Sequence, residues 1–272
     1  MNKKILIIGN GFIGKNLYKY FIQKNQSTIT TRDILNILDK DQIQTFFMQN
    51  HFDYIIYAVG IKDIKKCEIS PDLAYNINAN GVLNVLNNIN SLLTKFVYIS
   101  TDYVFDGESG NYSELSETNP QTVYGKSKIL GEQYTLQKNN TIVVRTSGVY
   151  GSGCLWLTNL LNSLSLNEQI ICFSDVYNSP TYAINLAEMI EKVLNINFTG
   201  IINLSGSIKN NRYDLYSSVA TIFEKNTDLL SRGTSNGIFP KDISLNNKLY
   251  QSLTNNISNN PIEGLTRFKN EY

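Results

Sequence analysis

The start of the chain constrains the fold more than any other part. KILIIG (4–9) is a short apolar run of strand character. It leads straight into GNGFIG, which sets Gly9, Gly11 and Gly14 in the G-x-G-x-x-G spacing. FIGKNLYKYFIQ (12–23) follows, with Phe12, Leu17, Tyr20 and Phe21 near one helical face. A strand, a glycine turn and a helix in this order predict a dinucleotide-binding βαβ unit. Gly9 would allow the tight turn, and Gly11 would let the backbone approach a pyrophosphate. Gly14 would let the helix pack closely on the sheet. The amides of Phe12 and Ile13, at the helix N-terminus, would face the phosphates.

The pattern continues along the first half. STITT (27–31), DYIIYAV (53–59), KFVYIS (95–100) and TIVVRTS (141–147) read as strands. DKDQIQTFFMQN (39–50), with Asp39 as cap, the stretch 70–93 opening on Ser70-Pro71, and YGKSKILGEQYTLQ (124–137) read as helices. Strands alternating with helices predict an α/β fold, a Rossmann-type doubly wound parallel sheet. After residue 150 the pattern loosens. Segments 156–165 and 182–195 read as helices, and 169–173 and 200–205 as strands. The last 45 residues are polar and Asn-rich, with weak periodicity. The expected division is a Rossmann domain over 1–150, carrying the catalytic residues, and a smaller substrate-binding lobe over 151–272. Segments of that lobe would return to the sheet.

The second strand should end near the ribose 2′ position. An acidic residue there would favour NAD, but this chain has Thr31 and Arg32. A guanidinium would pair with a 2′-phosphate, so NADP(H) is the favoured cofactor and NAD(H) the alternative. Asp33 and Ile34 would reach the adenine edge. Ala58, Val59 and Gly60 end the third strand, where the cofactor should cross.

The stretch ISTDYVFDGESGNYSELSETNPQTVYGKSK (99–128) supplies chemistry. Tyr124 and Lys128 are four apart on a helix and share a face. Thr101 ends the fourth strand, on the ligand edge. A ketone that accepts hydride builds negative charge on oxygen and needs a proton. Tyr124 would supply it, Lys128 would lower the phenol's pKa and hold the nicotinamide ribose, and Thr101 would position the oxygen.

Bulk features exclude several classes. The 272 residues carry a net charge of +1, and only 17% are charged, with no dense basic run. That excludes an ordinary nucleic-acid reader. His51, the only histidine, precedes a strand and is expected in a loop or at a helix end. Cys67, Cys154 and Cys172 lie far apart and form no metal-ligand cluster. Buried free thiols in the cytoplasm are expected. The N-terminal apolar run reads as a core strand rather than a signal peptide, and no run is long enough to span a membrane.

These motifs resemble the extended short-chain dehydrogenase/reductase superfamily, and within it the family of dTDP-4-dehydrorhamnose reductases. STDYVFDG (100–107) with NPQTVYGKSKILGE (119–132) is close to that family's signature. RTSGVYG (145–151), SPTYAINLAE (179–188) and GIINLSGS (200–207) match its later landmarks in order. The resemblance implies a catalytic Tyr124 acid with Lys128 and Thr101 as partners. It also implies substrate contacts at Thr101, Asp102 and Tyr103, and an Asn78 that anchors a proton-relay water. It implies NADPH-dependent reduction of a nucleotide-linked 4-keto-6-deoxysugar for surface polysaccharide precursors, with a homodimer as an option. Two other readings share the fold: an NAD-dependent sugar-nucleotide epimerase and a non-catalytic, NADP-binding regulatory subunit. The chain departs from the family at Lys65, Gly148, Val176 and Phe239-Pro240. The last of these replaces an Arg-Pro pair, so Arg145, Arg212 and Arg232 are candidates for a diphosphate contact.

Overall fold

A computed structural model describes residues 2–89, 91–237 and 239–271. Met1, Asn90, Ile238 and Tyr272 lie outside the described residues, including the part of the expected 70–93 helix that contains Asn90. The first half runs β1 (Lys4–Ile8), α1 (Phe12–Phe21), β2 (Gln26–Thr30), α2 (Lys40–Gln49), β3 (Tyr54–Tyr57), α3 (Ile64–Ile69), α4 (Pro71–Tyr75), a π turn (Asn76–Asn80) and α5 (Gly81–Leu86). It continues with β4 (Lys95–Ile99), a 3-10 turn (Asp102–Val104), α6 (Val123–Leu136), β5 (Thr141–Arg145) and β6 (Val149–Tyr150). The second half comprises α7 (Leu155–Ser165), β7 (Ile170–Phe173), β8 (Tyr177–Asn178), β9 (Thr181–Tyr182), α8 (Ala183–Asn195) and β10 (Gly200–Asn203). It closes with β11 (Asn210–Asn211), α9 (Arg212–Ile222), β12 (Leu230–Gly233), α10 (Lys248–Thr254) and α11 (Pro261–Glu271).

Six strands form one parallel sheet in the order β10-β5-β4-β3-β1-β2. This is the Rossmann-type arrangement. The order reverses between β1 and β3, so a crevice opens beyond their carboxyl ends. Alternation along each strand feeds two cores. Ile5 and Ile7 of β1 join Leu17 and Phe21 of α1 and Leu186 and Ile190 of α8 on one face. Leu6 and Ile8 join Ile43, Phe47, Val82 and Val85 on the other. A parallel sheet buried on both faces needs such near-continuous apolar strands. A third cluster outside the sheet unites α7, α9 and α11 through Leu161, Val219 and Phe268.

The structure corrects the expected 70–93 helix. A separate helix, α3, comes first, capped by Asp63, which accepts from the Lys66 amide at 3.0 Å. Ser70 makes no side-chain cap, and the run ends at Leu86 after the π turn. A π turn takes main-chain carbonyls out of the ordinary helical ladder. Buried tyrosines answer two of them. Tyr57 Oη donates to Ile77 O at 3.0 Å, and Tyr98 Oη donates to Asn78 O at 2.7 Å. The weakly periodic C-terminal stretch also contains helices. In α11, Leu265 and Phe268 lie on one face and enter the third cluster. His51 is exposed, just beyond α2, and the three cysteines are buried free thiols.

Candidate functional site

The glycine turn forms a cradle at the reversal point of the sheet. Gly9 has φ +104°, and a Cβ there would lie 2.7 Å from Val59 Cγ2. A Cβ on Gly14 would lie 1.9 Å from Gly9 O, so the helix can sit this close only as glycine. Nothing lies within 4 Å of a Cβ built on Gly11, which caps α1 with bare backbone. Open space against free helix N-terminal amides suits a pyrophosphate. The residues present therefore fit a dinucleotide.

Beside the cradle is a cavity of about 250 Å³, lined by Gly9, Gly11, Arg32, Ala58, Val59 and Gly60 among others. Asp33 and Ile34 do not line it. The amides of Ile34 and Leu35 both bond to Thr31 O, which curls the chain. Ile34 is left 52% exposed, while Leu35, Asn36, Ile37 and Leu38 take the wall. Arg32 is exposed at the rim and makes no ion pair among the described residues.

Phe12 and Ile13, next in sequence to Gly11, line a second cleft of about 280 Å³ that also exposes Thr101, Asp102, Tyr103 and Tyr124. The helix carrying Tyr124 starts at Thr122, whose Oγ1 accepts from the Gly125 amide at 3.1 Å. A Cβ on Gly125 would lie 2.2 Å from Tyr103 O, so glycine lets α6 press against the 3-10 turn. Tyr124 stands edge-on to Tyr103, ring centres 5.7 Å apart. Removal from water pushes the Tyr124 phenol well up, and a hydrogen bond with Thr101 pulls it partly back. Burial is the largest influence on Tyr124, and the net shift is upward rather than the lowering expected from Lys128. The phenol is therefore protonated at neutral pH.

Lys128 lies under the cleft and does not line it. Its Nζ donates to Ile99 O at 2.6 Å and sits 4.0 Å from the centre of the Tyr98 ring. Burial pulls its pKa down to about 7, and Glu132 acts against that fall. Asp102 is buried, accepting from Ser147 Oγ at 2.5 Å and from Thr101 Oγ1 at 3.0 Å. Burial pushes it up to about 6 despite those bonds. Burial and the Asp102 carboxylate push Tyr103 up to about 12.

Asn78 Nδ2 donates to Ser127 Oγ and Ile61 O, and its Oδ1 accepts from the Ile61 amide. Asn78 thus fixes the loop after β3 against α6, with its amide spent on protein partners. Arg145 is buried in an ion pair, and Arg232 is exposed and pairs with Asp214. Of the three candidate arginines only Arg212 lines the cleft. Phe239, in the departing position, packs on Phe173 at 5.7 Å. Sequence reasoning missed Lys62, Trp156, Asn178 and Tyr216, which are among the residues that line the wall. Trp156 stacks on Tyr216 at 5.4 Å. Its being the sole tryptophan was the one available signal.

The profile of the RmlD substrate binding domain family matches residues 3–241. The chain belongs to this family. The chain is 32% identical over 209 residues to the spore coat polysaccharide biosynthesis protein SpsK of Bacillus subtilis (strain 168), covering 75% of this chain and 74% of that protein. It is 29% identical over 196 residues to a dTDP-4-dehydrorhamnose reductase of Aggregatibacter actinomycetemcomitans, covering 70% and 67%. The crystal structure of dTDP-4-dehydrorhamnose reductase from Bacillus anthracis str. Ames in complex with NADP superposes with a TM-score of 0.94 at 27% identity, covering 100% of both chains.

Proposed function

We propose that the protein is an NADPH-dependent reductase of the C4 ketone of a nucleotide-linked 4-keto-6-deoxysugar, with a dTDP-sugar as first choice. The observation that carries the reading is one cleft bearing Thr101 and Tyr124, entered beside the glycine cradle. Kinship with the dTDP-4-dehydrorhamnose reductases, one of them a complex with NADP, supports the substrate and the cofactor.

Gly9, Gly11 and the amides of Phe12 and Ile13 would hold the pyrophosphate, and Arg32 the 2′-phosphate. Bound there, NADPH supplies the hydride that C4 accepts. Thr101 holds the ketone oxygen beside Tyr124. The Tyr124 phenol gives its proton to the oxygen as negative charge develops there. Lys128, one helical turn below, stabilises the phenolate left behind. Asp102 and Tyr103 bond the sugar. Arg212 and Lys62, both on the cleft wall, face the diphosphate. The pair Thr101 and Tyr124 favours this reading over a subunit that only holds cofactor, and Arg32 favours it over an NAD-retaining epimerase.

No helix among the described residues is long and apolar enough to cross a membrane. We place the enzyme in the cytoplasm, where its buried thiols stay reduced. Its product would feed surface polysaccharide synthesis, and a homodimer remains part of the proposal. The test is Tyr124→Phe. This variant should bind NADPH as the wild type does, read by energy transfer from Trp156, and lose at least about a hundredfold in turnover. Undiminished turnover would remove Tyr124 from the acid role.

A further inference from the structure

A buried ion pair lies below the cleft, and the chemistry above leaves it unused. Glu132 follows Lys128 by one turn of α6 and shares its face. Arg145, the last residue of β5, donates from Nε and Nη2 to the two Glu132 oxygens at 3.1 and 2.7 Å. Both side chains are 3% exposed. Ser100, adjacent to Thr101, donates to Glu132 Oε1 at 2.5 Å. Desolvating two charges offsets most of their attraction, so such a pair is a poor device for stability alone. It does join three elements that carry the proposed site: α6, the end of β4 and the end of β5.

We propose that Glu132 is a positioning residue that keeps Lys128 in its ammonium form, with Ser100 and Arg145 fixing the carboxylate for that task. The partners that touch Lys128 Nζ are neutral: the Ile99 carbonyl and the Tyr98 ring. The titratable groups around this region are Tyr124 and Glu132 on its own helix, Tyr57 on β3, Tyr98 on β4, Asp102 and Tyr103 on the 3-10 turn, and Cys67 on α3. Arg145 on β5 lies behind Glu132, and Glu114 lies within the field of Arg145. Among them Glu132 is the charge that favours protonated Lys128, against the burial that disfavours it. Arg145 holds the carboxylate in place through two hydrogen bonds, and Ser100 ties it to the strand end that carries Thr101.

The direct test is the Lys128 titration in the protein without ligand. It can be read by NMR on isotope-labelled lysine, with Lys128 assigned by difference against Lys128→Met. Glu132→Gln should lower the Lys128 midpoint by at least about half a pH unit, because it removes the anion and leaves Arg145 uncompensated. The charge-neutral Glu132→Gln/Arg145→Met variant should fall between that variant and the wild type. If Glu132→Gln alone does not fold, the double variant carries the test, with a midpoint below wild type. Equal midpoints in wild type and variants would overturn the proposal and leave the pair a purely structural tie. The consequence for turnover rests on the reductase reading, whereas the titration does not. In kcat against pH, the high-pH decline should move down with the Lys128 midpoint while KM for the sugar nucleotide changes little.

Discussion

Arg32 and Asp102 show how one side chain carries a separable claim. Arg32 stands at the rim of the cavity beside the glycine cradle with no ion-pair partner among the described residues. Hydrogen bonds to a charged group contribute roughly 1.5–3 kcal/mol, and each 1.4 kcal/mol is about tenfold in affinity. Arg32→Ala should therefore cut the NADPH-over-NADH affinity ratio by about tenfold or more, read by titrating each nucleotide against Trp156 emission. An unshifted ratio would mean that Arg32 does not read the phosphate. Asp102 predicts a pH effect. Its folded pKa of about 6 lies above the usual carboxylate value, so the folded state holds the proton more tightly. Stability should decline as pH rises from about 4 to about 6, by about 2–3 kcal/mol, and then level off. Asp102→Asn should flatten that decline in denaturant titrations across the window. A decline of the same size in the variant would assign it to another group.

The π turn between α4 and α5 sets the elements that flank the site. Tyr98 Oη answers the Asn78 carbonyl, and a Cβ on Gly131 of α6 would lie 2.4 Å from that hydroxyl. Tyr98→Phe strands a buried carbonyl and should cost about 1–3 kcal/mol in denaturant unfolding. No loss would mean the turn is satisfied without it. This feature was not legible beforehand, because it depends on a tyrosine twenty residues away that reads only as part of an apolar strand. The six strands of the main sheet, β7, and α1, α2, α6, α7 and α8 were legible from their apolar runs and spacing, whereas the short strands β6, β8, β9, β11 and β12 carry too few residues to show a period. The helix α3 was missed because its six residues hold a single buried side chain, Cys67. Asn-rich composition hid α10, which buries only Tyr250, and α11, whose burial is settled by packing on α9. The same limit applied to the cleft. Thr101, Tyr124 and Lys128 belong to one local pattern, while Lys62, Trp156, Asn178 and Tyr216 meet only through tertiary packing.

At the scale of the molecule, the sheet order decides where chemistry can occur. The reversal between β1 and β3 opens the cradle, and the ends of β4 and β5 carry the cleft residues beside it. The chain after β5 then supplies the opposite wall through Trp156, Asn178, Arg212 and Tyr216. Gly148 and Val176, two of the positions where the sequence resemblance led to other residues being expected, line that wall, whereas Phe239 packs on Phe173. On the proposed reading, the cradle and the proton donor come from the first half of the chain, and the wall facing the sugar nucleotide from the second. The most direct measurement is NADPH consumption by the purified protein with dTDP-4-dehydrorhamnose and with CDP- and GDP-linked 4-keto-6-deoxysugars. The account predicts steady oxidation of NADPH with one of them, the dTDP-sugar first, matched by reduced sugar formed in equal amount. NADPH that stays bound and unoxidised across the whole panel would contradict it.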